Sequence, residues 1–340
     1  MAGRKNNKEI LISNTHTIKK SNELSTAKLN EGLTLNQMQL LAYTIYATQQ
    51  DGSTTFIKAD FEKRFGLDEY RTEHAKKDSQ RILSIQVGFE DLENDTFEYM
   101  NVFHKMKYEK GTFKFQWAPE ITPHILDLKD KYVLTDLSVT ANFKSSFSWT
   151  LYDYLRGLYG AWYISLSKDA IMNLFGVENK KSYQKNTSKF KQAVLNVAVN
   201  EINKFTELDV NYEDVKKGRS IVGFKIIWST GNKVHKASEK QMDILRSIAN
   251  VTLADTLMYA EIKDEENKER AIQIIREIQT IKYNYLQPEI GLTADKASDL
   301  IKETSSDLNS LNYLLGAEGM EKLSTSEPVP MINWLKDLKN

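Results

Sequence analysis

The sequence predicts an α+β protein in which one order of elements occurs twice and an all-α C-terminal region follows. Three observations predict it. The apolar pattern passes from a period near 3.6 to a period of two in the same way within residues 34–135 and 136–230. Gly66 and Gly176, each set in Phe-Gly-aliphatic, stand 110 residues apart, and Leu41 and Leu151 in the preceding segments keep that offset. Beyond Trp228 strand alternation stops and helical spacing takes over.

Taken in order, residues 1–33 are polar and read as an N-terminal arm. Thr34 is placed to N-cap a helix with Gln37 three positions on, and Met38, Leu41 and Ile45 share one face of it. Strand-like Thr55–Ile57 leads into a helix over Ala59–Phe65 that Gly66 stops. A basic helix over Arg71–Ile85 carries Lys76, Lys77, Gln80 and Arg81. Phe97, Tyr99, Asn101 and Phe103 then alternate with Met100, Val102, His104 and Met106 as one strand, and Glu109–Thr112 turns the chain into Phe113, Phe115 and Trp117. Helix, helix, helix, hairpin is the order of a winged helix.

The order returns over 136–230. Ser148–Tyr159 is an amphipathic helix, Trp162–Leu166 a strand, Ser167–Phe175 a helix ending at Gly176, and about Ser182–Phe205 one long helix. Leu208, Val210 and Tyr212 alternate, Lys216-Lys-Gly-Arg219 makes a basic turn, and Val222, Phe224, Ile226 and Trp228 return. Ser229–Ala237 reads as a linker. Residues 237–340 read as acidic and helical, with helices over Glu239–Ile262, Glu265–Leu286, Ala294–Thr304 and Leu308–Leu323 before a Pro-broken tail that holds Trp334.

At 340 residues the chain has room for two or three domains, at roughly 100–200 residues each. Its formal net charge of zero conceals two opposite parts: residues 1–236 carry 34 basic and 28 acidic side chains, and residues 237–340 carry 12 and 18. The absence of Cys excludes a disulfide framework, a thiolate metal site and a cysteine nucleophile, and fits a reducing cytoplasm. No apolar h-region or membrane-length apolar run is visible.

Catalytic motifs are missing. The dipeptide Gly-Lys does not occur, which removes a nucleotide-phosphate loop, and Gly157, Gly160 and Gly176 do not make G-x-G-x-x-G. His16, His74, His104, His124 and His235 are scattered, with no metal-ligand pair among them. The 16 tyrosines therefore lack the paired histidines that a rolling-circle nickase needs. The expectation is a non-enzyme with no cofactor and no metal.

The candidate site lies on the long second-copy helix. On a 100° wheel with Val194 at zero, Phe190, Val197, Ala198 and Phe205 form a core stripe, and Lys181, Lys185, Ser188, Lys189, Gln192 and Asn196 fall on an opposite arc about 100° wide. Ammonium groups suit phosphates, and Gln and Asn amides can read adenine bidentately. Residues 179–236 hold 12 basic and 5 acidic side chains, and Lys216, Lys217 and Arg219 stand where a wing would flank the helix. A lysine-rich solvated face is the alternative, but no acidic residue interrupts the arc. Lys76, Lys77, Gln80 and Arg81 form a weaker copy, diluted by Glu69, Glu73 and Asp78, that suits phosphate contact, with Lys105, Lys107 and Lys110 as a second wing. Phe97, Tyr99, Phe103, Phe113, Phe115 and Trp117 read as a packed sheet face, the alternative being stacking on single-stranded bases. Glu201 falls within the apolar stripe, as an interdomain ion pair or as a fringe position.

These residues bring the chain to a known family. Lys20-Ser-Asn-Glu-Leu24 followed by Leu33-Thr-Leu-Asn-Gln37, the Phe147–Tyr159 segment with its Leu-Tyr-Asp-Tyr-Leu core, Phe190–Asn203, Asp209–Glu213 and Lys216–Lys225 resemble the iteron-binding plasmid replication initiators with tandem winged helices. The resemblance spans about residues 8–230. It implies binding of direct repeats in duplex origin DNA by monomers, help in opening the duplex, and recruitment of host replication initiation and helicase-loading proteins. It also implies dimers, formed largely through the first winged helix, that repress the initiator's gene or limit copy number. The second winged helix would be the principal reader. The acidic region 237–340 departs from the two-domain pattern. A winged-helix transcriptional repressor remains the rival binding reading, and a DNA nickase the rival from another class.

Overall fold

The computed structural model describes residues 4–13, 17–21, 32–91, 94–126, 132–158, 160–254, 262–286 and 291–319. Leu24, Tyr159 and the tail with Trp334 lie outside the described residues. Two compact units divide the chain, Met1–Lys233 and Val234–Asn340.

The N-terminal segment departs from an arm. Strand β1 (Lys5–Ile12) joins the second winged helix's sheet, and β2 (Thr17–Ser21) pairs antiparallel with β8 (Tyr132–Asp136), Thr17 opposite Asp136. Lys8 Nζ donates to the carbonyls of Asn203 and Leu208, Asn6 Nδ2 to Ser229 Oγ at 3.0 Å, and Thr230 N to Arg4 O at 2.9 Å. Residues polar by composition thus gain a backbone ladder, which satisfies their N–H and C=O groups without an apolar face.

The first winged helix opens with α1 (Leu35–Asp51), whose capping box has Gln37 N donating to Thr34 Oγ1 and Thr34 N donating to Gln37 Oε1. β3 (Thr55–Ile57), α2 (Lys58–Phe65) and α3 (Thr72–Leu83) follow. The alternating run after α3 is not one strand. β4 (Gln86–Asp91) and β5 (Thr96–Asn101) make their own hairpin, and at buried Val102 the chain turns into β6 (Phe103–Glu109), which pairs with β7 (Thr112–Trp117). Sheet order is β3-β7-β6, and the β6–β7 turn places Lys110 and Gly111 at φ 46° and 81°. The break splits the aromatic set: Phe103, Phe113, Phe115 and Trp117 are buried, whereas Phe97 and Tyr99 on β5 are 66% and 55% exposed.

After the short α4 (Leu137–Thr140) the second winged helix runs α5 (Ser146–Gly157), β9 (Tyr163–Ser167), α6 (Lys168–Leu174), α7 (Lys181–Lys185), α8 (Thr187–Phe190), a π turn over Lys191–Leu195, and α9 (Asn196–Phe205). β10 (Leu208–Lys217) and β11 (Ser220–His235) form its hairpin, and β11 also carries β9 and β1. The segment expected to be a linker is therefore mostly strand, because β1 supplies it with a partner. The two copies end their second helices alike. Gly66 and Gly176 take φ 60° and 61°, while Leu67 N donates to Glu62 O and Val177 N to Met172 O, both 2.9 Å. All three residues of one cap sit 110 positions from their counterparts. One contiguous apolar core runs through both winged helices, with Phe61, Phe113, Trp149, Phe190 and Phe224 fully enclosed, each contributing about 1.5–3 kcal/mol.

The second unit is a bundle of α10 (Glu239–Ala254), α11 (Glu265–Tyr285) and α12 (Ala294–Ala317) around Ile244, Ile248, Ile275, Ile278, Leu300 and Leu311. The break expected between Thr304 and Leu308 is absent. Thr304 is buried and its Oγ1 donates back to Leu300 O at 2.6 Å, so the polar run stays helical between apolar anchors. No described helix is long and apolar enough to cross a membrane.

Candidate nucleic-acid interface

The helix read as continuous from Ser182 breaks at Asn186, which lies at φ −129° and ψ 93° and whose Oδ1 accepts from Lys189 N at 3.0 Å. Asparagine as an N-cap outcompetes continuation of the preceding turn. Lys181 and Lys185 consequently stand on α7, ahead of the helix that carries Ser188, Lys189, Gln192 and Asn196. The π turn changes the wheel as well. Its extra residue brings Val194 and Leu195 both into the core at 0% exposure, where uniform 100° steps leave Leu195 off the stripe. Ser188, Lys189, Gln192 and Asn196 still share one exposed face.

The wing forms as expected from the basic turn. Lys217 pairs with Ser220 across Gly218 and Arg219, and Gly218 at φ 61° takes the first turn position, which a Cβ would strain. Lys216, Lys217 and Arg219 project into solvent. α9 is tied to the hairpin by Asn203, which donates to Val210 O at 2.8 Å and accepts from Val210 N at 2.6 Å.

Charge placement gives this face its sign. Four of the five carboxylates in 179–236 are engaged within the protein. Glu201 accepts from Lys144 N and Ser145 N at the start of α5, which makes it a helix cap within the second winged helix. Glu207 is buried and takes Arg156 at 2.9 Å, Lys233 at 3.4 Å and Tyr152 Oη at 3.0 Å. Burial lowers the Lys233 pKa, with Glu207 pulling against it. Asp214 holds Lys191 at 2.8 Å, and Glu213 lies 4.0 Å from Lys225. By contrast Lys181, Lys185, Lys189, Lys216, Lys217 and Arg219 are exposed and belong to no ion pair among the described residues.

In the first winged helix, Asp78 does not dilute the α3 face. It is buried and accepts from Tyr70 Oη at 2.7 Å and Gln37 Nε2 at 2.9 Å, and Glu69 pairs with Arg71 at 2.9 Å. Lys76, Lys77, Gln80 and Arg81 all lie on the outside of α3, with Arg81 Nη1 donating to Ser84 Oγ at 3.3 Å. Lys76 and Gln80 line a cleft of about 350 Å³ with Thr72, Ser79, Leu83, Met106 and Tyr108. Lys107 in the neighbouring hairpin is paired with Glu109 at 2.9 Å, while Lys105 and Lys110 are exposed.

Sequence reasoning missed Lys191 and Tyr212. Lys191 Nζ lies 5.5 Å from the Tyr212 ring centroid, and Tyr212 Oη donates to Asn196 Oδ1 at 2.6 Å. Only the pairing of α9 with β10 brings them together, so no local signal existed.

A profile of the initiator replication protein, WH1, matches residues 17–156, and one of the initiator Rep protein, WH2, matches residues 167–228. Among solved structures, the Pi initiator protein in complex with iteron DNA is similar over 64% of this chain and 99% of that chain, with a TM-score of 0.50 and 19% identity. Domains 2 and 3 of RctB are similar over 58% and 82% respectively, with a TM-score of 0.40 and 9% identity. Two profiles of one family, in order and on the two winged helices already described, show that this chain belongs to the Rep initiator replication protein family.

Proposed function

We propose that the protein initiates plasmid replication by binding iteron repeats in duplex origin DNA, with the α8–α9 helix in the major groove and the β10–β11 wing on flanking phosphates. The observation that carries this is the segregation of charge. Nearly every carboxylate near the helix and wing is engaged inside the protein, whereas the lysines and Arg219 are left to solvent. Lys76, Lys77, Gln80 and Arg81 supply a second contact from the first winged helix. The Pi protein, similar in fold, is itself an iteron-bound initiator.

Opening of the origin, recruitment of host initiation and helicase-loading proteins, and autorepression by a dimer belong to the same reading, as does a cytoplasmic location. Self-association fits the first winged helix, where Phe97 and Tyr99 stand exposed on β5. The protein acts by binding and carries out no chemistry of its own.

Footprinting on the DNA around this gene, with permanganate probing for unpaired thymines, tests the reading. Protection of several direct repeats with melting of adjacent A·T-rich DNA is expected. One protected inverted site without melting would make the protein a repressor, and a covalent tyrosyl-DNA adduct would make it a nickase.

A further inference from the structure

Asn196 reached the interface as a residue able to read adenine through both ends of its amide: the oxygen accepts from adenine N6 and the NH2 donates to N7. The fold engages one of those ends from inside the protein. Tyr212 on β10 is fixed by two neighbours. Its ring meets Phe224 edge-on, with centroids 5.8 Å apart at 81°, and lies 5.5 Å from Lys191 Nζ. Lys191 is in turn held by both oxygens of Asp214 at 2.8 and 2.9 Å. The hydroxyl so placed donates to Asn196 Oδ1 at 2.6 Å. A phenol donates more strongly than it accepts, and burial raises the Tyr212 pKa, so the proton stays on the oxygen that points at the amide.

We infer that Tyr212 is a specificity-determining positioning residue that takes one lone pair of the Asn196 carbonyl, turns that end of the amide toward β10 and presents its NH2 to DNA. Guanine presents two acceptors, O6 and N7, to such a donor, whereas adenine presents N7 alone beside the N6 amino group. Asn196 therefore favours guanine over adenine, and Gln192, one turn earlier and exposed, is the amide with both ends open to adenine. Lys191 and Asp214 serve this arrangement by holding the ring, which explains a lysine within the basic segment whose charge is not offered to phosphate. The inference rests on the reading of α8–α9 as the base-contacting helix.

The test is selection from randomised duplexes by the full-length wild type, Asn196→Ala, Tyr212→Phe and Lys185→Ala/Lys189→Ala, with thermal melting to establish folding. The wild type is expected to select guanine at one position where Asn196→Ala selects nothing. Tyr212→Phe keeps the ring and releases Asn196 Oδ1, so the guanine-to-adenine ratio at that position should fall about tenfold or more, the size of one bidentate base contact. An unchanged ratio in Tyr212→Phe overturns the inference. So does an unchanged profile in Asn196→Ala when the double lysine variant binds weakly, which leaves the helix on DNA and removes only Asn196 from the bases. If the double lysine variant and Asn196→Ala both match the wild type, the helix is not the reader and the inference falls with that reading.

Discussion

The Lys20 ammonium group meets the Asp153 carboxylate with both side chains buried, so that β2 is fastened to α5 by an ion pair inside the core of the first unit. Asp153 also accepts from Trp149 Nε1 at 3.1 Å and Thr135 Oγ1 at 3.0 Å, which brings β8 into the same knot. The two residues come from separate stretches that carried the family resemblance, Lys20–Leu24 and the Leu-Tyr-Asp-Tyr-Leu core.

Removing one partner of this pair leaves a buried charge without compensation. Asp153→Ala should cost about 3–5 kcal/mol, and Lys20→Met combined with Asp153→Leu should cost less than that single change. Urea unfolding of the three proteins checks this. A loss below about 1 kcal/mol in Asp153→Ala would mean that water reaches the pair.

Gly231 lies so close to β1 that an added Cβ would overlap the carbonyl oxygen of Lys8. Gly231→Ala should release β1 from the second winged helix's sheet. Amide hydrogen exchange should quicken over residues 5–12 while α1 to α3 keep their protection. Uniform quickening, or none, would count against β1 as a separable strand.

Phosphate contacts set the salt dependence of binding. Lys185→Ala/Lys189→Ala should weaken binding and flatten the plot of log K against log salt by up to about 0.9 per phosphate lost. Lys191→Ala should leave that slope unchanged, since Asp214 already neutralises Lys191. Equal slopes for wild type and the double variant would take this helix off the DNA backbone.

Burial pushes the Tyr43 pKa up to about 12 from 10.0, with Asp60 adding to the shift, and burial likewise raises Tyr70 and Tyr152. A folded-state pKa above the unfolded value gives stability that is complete below pH 10 and lost as pH rises toward 12. Lys8 and Lys233, lowered by burial, act in the opposite sense, but only up to their ordinary 10.5. Stability should therefore fall between pH 10.5 and 12, with buried phenols ionising as the protein unfolds. A flat urea midpoint over that interval would contradict the burial of these rings.

Features written into neighbouring residues were legible in the sequence. Thr34 with Gln37, Gly66 with Gly176, and Lys216–Arg219 each depend on a local conformation, and each was placed. The N-cap that breaks the helix at Asn186 was equally local, but the apolar stripe on both sides of it suggested continuity. Contacts between distant segments were not legible. Asp78 looked like a surface acid until Tyr70 and Gln37 drew it inward, and β1 looked like an arm because its partner strand lies more than 200 residues on. Phe97 and Tyr99 obey the same alternation as Phe113 and Phe115, and alternation cannot tell which strand leaves the sheet at Val102.

The absence of native cysteine allows the most direct test of where the helix lies. An iron chelate tethered at Gln192→Cys, in protein bound to duplex origin DNA, should cleave at the same position in every direct repeat, centred on the major groove. Cleavage without register to the repeats, or none above that from protein without the chelate, would contradict a reading helix at α8–α9.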